Sequence, residues 1–244
     1  MVTGVAGTDT GQGLEVKVVD LFSCIGGHAL GLMAAGDFEV CQFVEIHPQR
    51  KAFLQARFPH VPVAADVRQF HPSVRGGLLV GGPPCQRTSV AAAIHGKRDG
   101  ESLWPDMRRI GRELEAEWIV VEQPTGNAAW EAEVRDDLGA DGYYTARLEF
   151  AACDVGAPHI RRRVFILAHR SVQRLEVAWS AVPCEIERIK GSAAAGNHWV
   201  KGPPGALRVA NGISEWLDRN AAVEAIGDSN PPQMMTAIGR AILK

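Results

Sequence analysis

Short apolar runs alternate with amphipathic stretches over the first two-thirds of the chain. Residues 16–22 (VKVVDLF) form an apolar run of strand length, and residues 26–35 fit the helix that follows. Residues 39–44 read as a second strand ending at Glu45. Pro48 suits the first turn of a helix reaching Arg57. Residues 61–64 and 77–80 are a third and a fourth strand, the latter stopped by Gly81-Gly82-Pro83-Pro84. Residues 102–115 are helical and residues 118–121 a fifth strand. Residues 143–151 and 164–168 look like a closing pair. This alternation predicts an α/β fold, a mostly parallel sheet with helices on both faces. Beyond His169 the periodicity fades, and residues 171–225 read as a small irregular module. A final helix is expected over residues 231–243, with proline in its first turn.

Composition sets bounds on this picture. The chain has 244 residues, enough for one α/β domain with a substantial core and a small appendage. Residues 1–14 are Gly/Thr-rich, lack the basic and apolar regions of a signal peptide, and read as a flexible tail. No apolar run approaches the length of a membrane span. The five cysteines are odd in number, widely spaced and without a CxxC pair, which disfavours a disulfide framework or a zinc site and suits a reducing cytosol. No metal is therefore expected. The formal net charge of −2 leaves any nucleic-acid surface to local patches. The candidates are Arg161-Arg162-Arg163, Arg108-Arg109 with Arg112, and Lys97-Arg98.

Ligands of such sheets bind at the carboxyl ends of the strands, and four features fall there. Asp20-Leu21-Phe22-Ser23-Cys24-Ile25-Gly26-Gly27 runs from a strand through a glycine-bearing turn into a helix, where backbone can approach a ligand and the helix N-terminus favours an anion. Glu45 ends the second strand and can accept from two ribose hydroxyls. Asp66 follows the third strand, placed to accept from an adenine amino group. A dinucleotide enzyme shares the first two features, but GxGxxG is missing. The fourth feature, Gly81-Gly82-Pro83-Pro84-Cys85-Gln86, presents a thiol on a loop stiffened by two prolines.

With that loop, the chain resembles the DNA cytosine-5 methyltransferase family, whose hallmark is Pro-Cys-Gln. The family order is present too. Glu122-Gln123-Pro124 stands for Glu-Asn-Val, and His159-Ile160-Arg161-Arg162-Arg163 for Gln-x-Arg-x-Arg. Gly227-Asp228-Ser229-Asn230-Pro231-Pro232 stands for the closing Gly-Asn…Pro-Pro segment. The match spans about residues 16–169 and the last twenty or so. It implies a Rossmann-like fold that binds S-adenosyl-L-methionine and transfers its methyl group to cytosine C5 in double-stranded DNA. A catalytic domain over residues 15–170 is expected, with a target-recognition region over 171–225 and a returning C-terminal helix over 226–244. A monomer is expected, and a partner restriction enzyme is left open. The GDSNPP ending looks like small phage-associated members.

The resemblance also assigns roles. Cys85 is the thiolate that adds to C6, on a base that must be flipped out of the duplex. Glu122 assists at N3 and must hold a proton, so apolar or negative surroundings are expected for it. Arg161 and Arg163 hold the base or the phosphates. The cofactor site takes Asp20, Phe22, Ser23, Cys24, Gly26 and Gly27 from the first turn. Glu45 and Ile46, then Asp66 and Val67, follow the next strands, and Pro83, Asp228 and Ser229 complete it. Pro84, Gln86, Ser89 and His159 face DNA. Arg174, Arg188, Lys190, His198, Lys201 and Arg208 are further candidates for DNA contact. Cys24 occupies a position that is often glycine, and Asp228 one that is often asparagine. Both put the methionine end of the pocket in question. Asp228 would also oppose a rival donor carrying an extra carboxyl group. A catalytically silent DNA-binding homologue is a further alternative, opposed by the intact Cys85 and Glu122.

Overall fold

The computed structural model describes residues 15–84, 102–196 and 228–244. The Cys85-Gln86 dipeptide, Ser89, Lys97-Arg98, His198, Lys201 and Arg208 therefore lie outside the described residues. Seven strands form one sheet in the order β3-β2-β1-β4-β5-β7-β6. β1 (Val16–Leu21), β2 (Phe38–Val44), β3 (Val63–Ala64), β4 (Leu78–Gly81) and β5 (Trp118–Pro124) are parallel to one another. β7 (Arg162–His169) is antiparallel to both β5 and β6 (Tyr144–Ala151). The expected closing pair thus completes the sheet beside β5.

Side chains on a strand alternate between faces, and the core divides accordingly. Val18, Leu78, Val80 and Val120 pack on one face with Leu32 of α1 (Gly27–Ala35), Leu175 of α5 (Val172–Gly196) and Ile238 of α6 (Pro232–Ile242). Val19, Leu79, Ile119 and Val121 pack on the other with Met107 and Ile110 of α3 (Trp104–Leu114) and Val134 of α4 (Ala128–Ala140). Because the central strands are covered on both faces, they read as continuous apolar runs. α2 (Pro48–Arg57) follows β2 as expected.

Three expectations change. The segment from residue 171, expected to be irregular, begins as the 25-residue helix α5. Its buried Leu175, Ala178, Val182 and Ile189 lie at near-helical spacing, and Pro183 obscures the pattern. No element was expected between residues 121 and 143, yet α4 forms there. Its Trp130, Val134 and Leu138 recur every four residues and are buried. The Arg108, Arg109 and Arg112 patch is not an open basic surface. Arg108 and Arg112 both bind Asp141, at 2.8 and 2.5 Å, and tie α3 to α4. Their contacts hold the Asp141 carboxyl at about 2, well below the usual range. Arg109 instead donates to the backbone carbonyls of Val67 and Phe70, bracing the loop after β3. No described helix is long and apolar enough to cross a membrane.

Candidate active site

A cavity of about 640 Å³ opens at the carboxyl ends of β1, β2, β4 and β5, within the size range of small-molecule sites. Phe22, Cys24, Glu45, Ile46, Asp66 and Val67 line one side. Pro83, Pro84, Glu122, Arg161, Arg163 and Asp228 are also in its wall. Residues separated by more than a hundred positions thus meet because parallel strands end together.

One side of the cavity is organised around Glu45. Its Oε2 accepts from the Cys24 N–H and its Oε1 from the His47 N–H, both at 2.8 Å. Each oxygen keeps further acceptor capacity for a ligand in the cavity. Burial pushes the carboxyl above its usual range, opposed by those two N–H donors and by Arg50. Ile46 is 65% exposed and offers an apolar surface beside it. Asp66 lies at the rim, but its carboxylate already binds the Arg68 side chain and N–H, which pull its pKa down. An adenine amino group would have to share it.

The turn after β1 puts Phe22 and Cys24 into the cavity wall, and its other residues hold the turn in place. Asp20 is entirely buried and does not line the large cavity. Ser23 donates from Oγ to the Asp20 carbonyl at 2.6 Å and is tied to Val44, fastening the turn to β2. Gly26 is the left-handed N-cap of α1. Gly27 makes room for the chain itself, since a Cβ there would lie 2.5 Å from Ser229 Oγ and 2.6 Å from the Asn230 carbonyl oxygen. Cys24 has φ 52°, the backbone region that glycine favours, which accounts for glycine at this position in the resembled family. Burial raises its thiol to about 12, so it remains protonated at neutral pH and is no rival nucleophile. Asp228 does not stand alone, because Arg50 binds it at 2.6 Å.

Another part of the wall is organised around Glu122, which lies within β5 rather than after it. In the β5–β7 register Arg163 sits opposite Pro124, diagonal to Glu122 and on the same face. Arg163 Nε lies 2.6 Å from Glu122 Oε1, an ion pair whose two atoms are not aligned as a hydrogen bond. Gly82 admits the carboxylate, since a Cβ there would lie 2.6 Å from Glu122 Oε2. The surroundings of Glu122 are therefore cationic, not apolar or negative as expected. Arg161 reaches Asn230 Oδ1 at 3.5 Å, and burial beside Arg163 pulls its pKa down. Gln123 donates to the Pro83 carbonyl at 2.5 Å and so holds the last described turn before Cys85. His159 and Ile160 are exposed next to this wall.

A family model for C-5 cytosine-specific DNA methylases matches residues 16–194. The chain belongs to this family. It is 30% identical over 167 residues to type II methyltransferase M.HgiDI of Herpetosiphon aurantiacus, covering 64% of this chain and 52% of that protein. It is 28% identical over 236 residues to type II methyltransferase M2.BsuMI of Bacillus subtilis, covering 89% and 59%. This methylase-family chain thus spans little more than half the length of these two relatives. A crystal structure of a DNA modification methyltransferase encoded within an E. coli prophage superposes with a TM-score of 0.52 at 25% identity, covering 67% of this chain and 48% of that one. A Spodoptera frugiperda DNMT2 mutant, at 21% identity and a TM-score of 0.53, shares the fold over 64% of this chain and 50% of its own.

Glu45, Glu122, Arg161 and Arg163, expected from the sequence, all line the large cavity. Arg50, Gln123, Asn230 and His28 were not named as site residues, although the fold brings Arg50 and Gln123 into the wall of that cavity and His28 and Asn230 into a small pocket beside it. The one signal for Arg50 was its place in the first turn of the helix after Glu45. Asn230 could have been noticed inside the closing GDSNPP segment.

Proposed function

We propose that this protein is a DNA cytosine-5 methyltransferase that acts on a flipped-out cytosine through a covalent bond from Cys85 to C6. The observation that supports this best is the shared cavity. Glu45 and Ile46 suit a nucleoside on one side, and Glu122 with Arg163 suits a pyrimidine edge on the other. Pro83 and Pro84, directly before Cys85 in the chain, lie between them. The residues fit S-adenosyl-L-methionine. The buried Glu45 carboxylate has acceptor capacity for the ribose, Ile46 and Val67 offer apolar surface for the adenine, and the Arg50–Asp228 pair supplies both charges for an amino-acid end. When bound, that cofactor supplies an electrophilic methyl group.

The residues of the chain do the rest. The Cys85 thiolate adds to C6, and C5 becomes nucleophilic enough to take the methyl. Glu122, carrying a proton, assists at N3 as negative charge builds on the ring. Arg163 leaves Glu122 and turns toward the base carbonyl or the backbone phosphate. After transfer the C5 proton leaves, the sulfur–carbon bond breaks and the thiolate is restored. Residues 15–170 would form the catalytic body and 171–225 the target-reading region. The first part of that region, α5, is packed on the body, with Arg174 and Lys190 exposed. Residues 226–244 would return as the C-terminal segment, with double-stranded DNA as substrate.

The deciding test is covalent trapping on DNA containing 5-fluorocytosine. Fluorine cannot leave as a proton, so the thioether should persist through denaturing electrophoresis. Trapping should need S-adenosyl-L-methionine and vanish in Cys85→Ser. Methylation at N4 or N6 with no trapped species would refute the proposal. Random-sequence fluorinated DNA removes the need to know the target.

A further inference from the structure

Behind Glu122 lies a buried polar cluster that the methyl-transfer chemistry leaves unused. His28, the residue after Gly27 on α1, is buried, and its Nδ1 is 3.4 Å from Oδ1 of the fully buried Asp20. The other oxygen of Asp20, Oδ2, has no hydrogen-bond partner. On its far edge His28 Nε2 faces the Asn230 amide nitrogen at 3.5 Å. A second, small pocket of about 30 Å³ is lined by His28, Glu122, Gly82, Ser229 and Asn230, and it shares Cys24, Gly82, Glu122 and Asp228 with the wall of the large cavity. That is room for one water, and the walls offer the several polar partners a bound water needs. Glu122 therefore faces the large cavity with Arg163 on one side and this small chamber with His28 on the other.

The ion pair with Arg163 poses a chemical problem, because a carboxylate engaged that way has no proton to offer N3. We propose, on the basis of the methyltransferase reading above, that His28 supplies that proton to Glu122 through the small cavity. Asp20 orients it for that transfer. The imidazolium N–H bond breaks as an O–H bond to the intervening water forms. The water passes one of its own protons to the Glu122 carboxylate. One positive and one negative charge disappear together, and no electrons change hands. The proton returns along the same route when the pyrimidine leaves. His28 acts through Glu122 and does not touch the base.

The neighbours of His28 poise it between both states. Asp20 on β1 and Glu122 on β5 face it with negative charge, and Asp228 and the Cys24 thiol share the wall of the chamber. Arg161 contacts Asn230, which in turn faces His28. Burial alone disfavours charge on His28, but the Asp20 contact and the field of Glu122 override it and raise its pKa. Burial also raises Asp20, against the pull of His28. The pair thus keeps a proton to higher pH than an ordinary histidine. Asn230 works in the opposite direction. With its oxygen turned to Arg161, it presents an N–H to Nε2 and stabilises the imidazole after the proton has gone.

Two measurements on the full chain test this. In the wild-type protein, NMR titration of the His28 ring should give a midpoint above the ordinary value of about 6.5. That midpoint should fall in Asp20→Asn and in Glu122→Gln. In steady-state methylation, kcat should fall as pH rises through that midpoint. In His28→Gln the alkaline limb should move to lower pH, with kcat at pH 8 reduced about tenfold, the low end for a lost proton donor. KM for S-adenosyl-L-methionine should be unchanged in the same variant, which a merely misfolded cofactor loop would not allow. A His28 midpoint at or below the ordinary value overturns the proposal without any variant being needed. Parallel pH profiles in a protein that still traps on fluorinated DNA overturn the relay alone. Absence of trapping in the wild type overturns the relay and the methyltransferase reading together.

Discussion

The two sides of the large cavity hold their acidic residues in opposite ways. Glu45 is fixed by backbone N–H groups of Cys24 and His47, which belong to the turns themselves. Glu122 is met by a mobile type of partner, the side chain of Arg163, on an antiparallel neighbour strand. Backbone donors cannot swing away, so the Glu45 carboxylate is set for a ligand before one arrives. An arginine side chain can leave, so Glu122 is set for a change of partner and of protonation. Under the proposed function, the Glu45 side is built for binding and the Glu122 side for chemistry.

Cys85→Ala breaks the comparison most completely. Methyl transfer should be abolished, while cofactor affinity measured by calorimetry should stay within about twofold, because the thiol is no ligand of the Glu45 side. Full transfer in the mutant would remove the chemical role of the Glu122 side. Glu45→Ala should do the reverse. Losing charge-assisted hydrogen bonds to a ribose should cost about 1.5–3 kcal/mol, roughly ten- to a hundredfold in Kd. DNA-dependent steps at saturating cofactor should change far less. A Kd equal to that of the wild type would mean that Glu45 only ties the turns together. The smallest effect is expected from Arg50→Met. Its partner Asp228 is 56% exposed, so the pair contributes about 0–1 kcal/mol and Kd should rise only a few-fold. The loss should be largest at low salt, where screening is weakest. An effect as large as that of Glu45→Ala would make the Arg50–Asp228 pair a principal cofactor contact.

The parts of this architecture that were legible share a cause. β1, β4 and β5 are short apolar runs flanked by turn-forming or polar residues, and their local pattern sufficed to find them, although β5 continues through Glu122 to Pro124. The same runs put Glu45, Asp66, Pro83 and Glu122 at or near strand ends, which is where such sheets bind ligands. α4 was missed because its buried apolar positions are few, Trp130, Val134 and Leu138, among acidic and small residues that blur the period. α5 was missed because Pro183 and several glycines and alanines imitate an irregular segment. The arginines of α3 were misjudged for a different reason. A cluster of positive charge looks the same in sequence whether it faces solvent or, as here, Asp141 on the next helix and the carbonyls after β3.

Residue order by itself determined the class of fold, the cysteine on its proline loop, and the identities of the acidic residues that follow the strands. Each is a local property, a periodicity or a short motif that needs no partner to be recognised. Only the tertiary structure decided what those residues face. Pairing of β7 antiparallel to β5 brings Arg163 onto Glu122, and the close approach allowed by Gly27 brings Ser229 and Asn230 down onto α1. That approach leaves a small polar pocket between His28 and Glu122, 94 positions apart in the chain. Charge acts through distance in space, and sequence separation carries no record of it until the chain has folded.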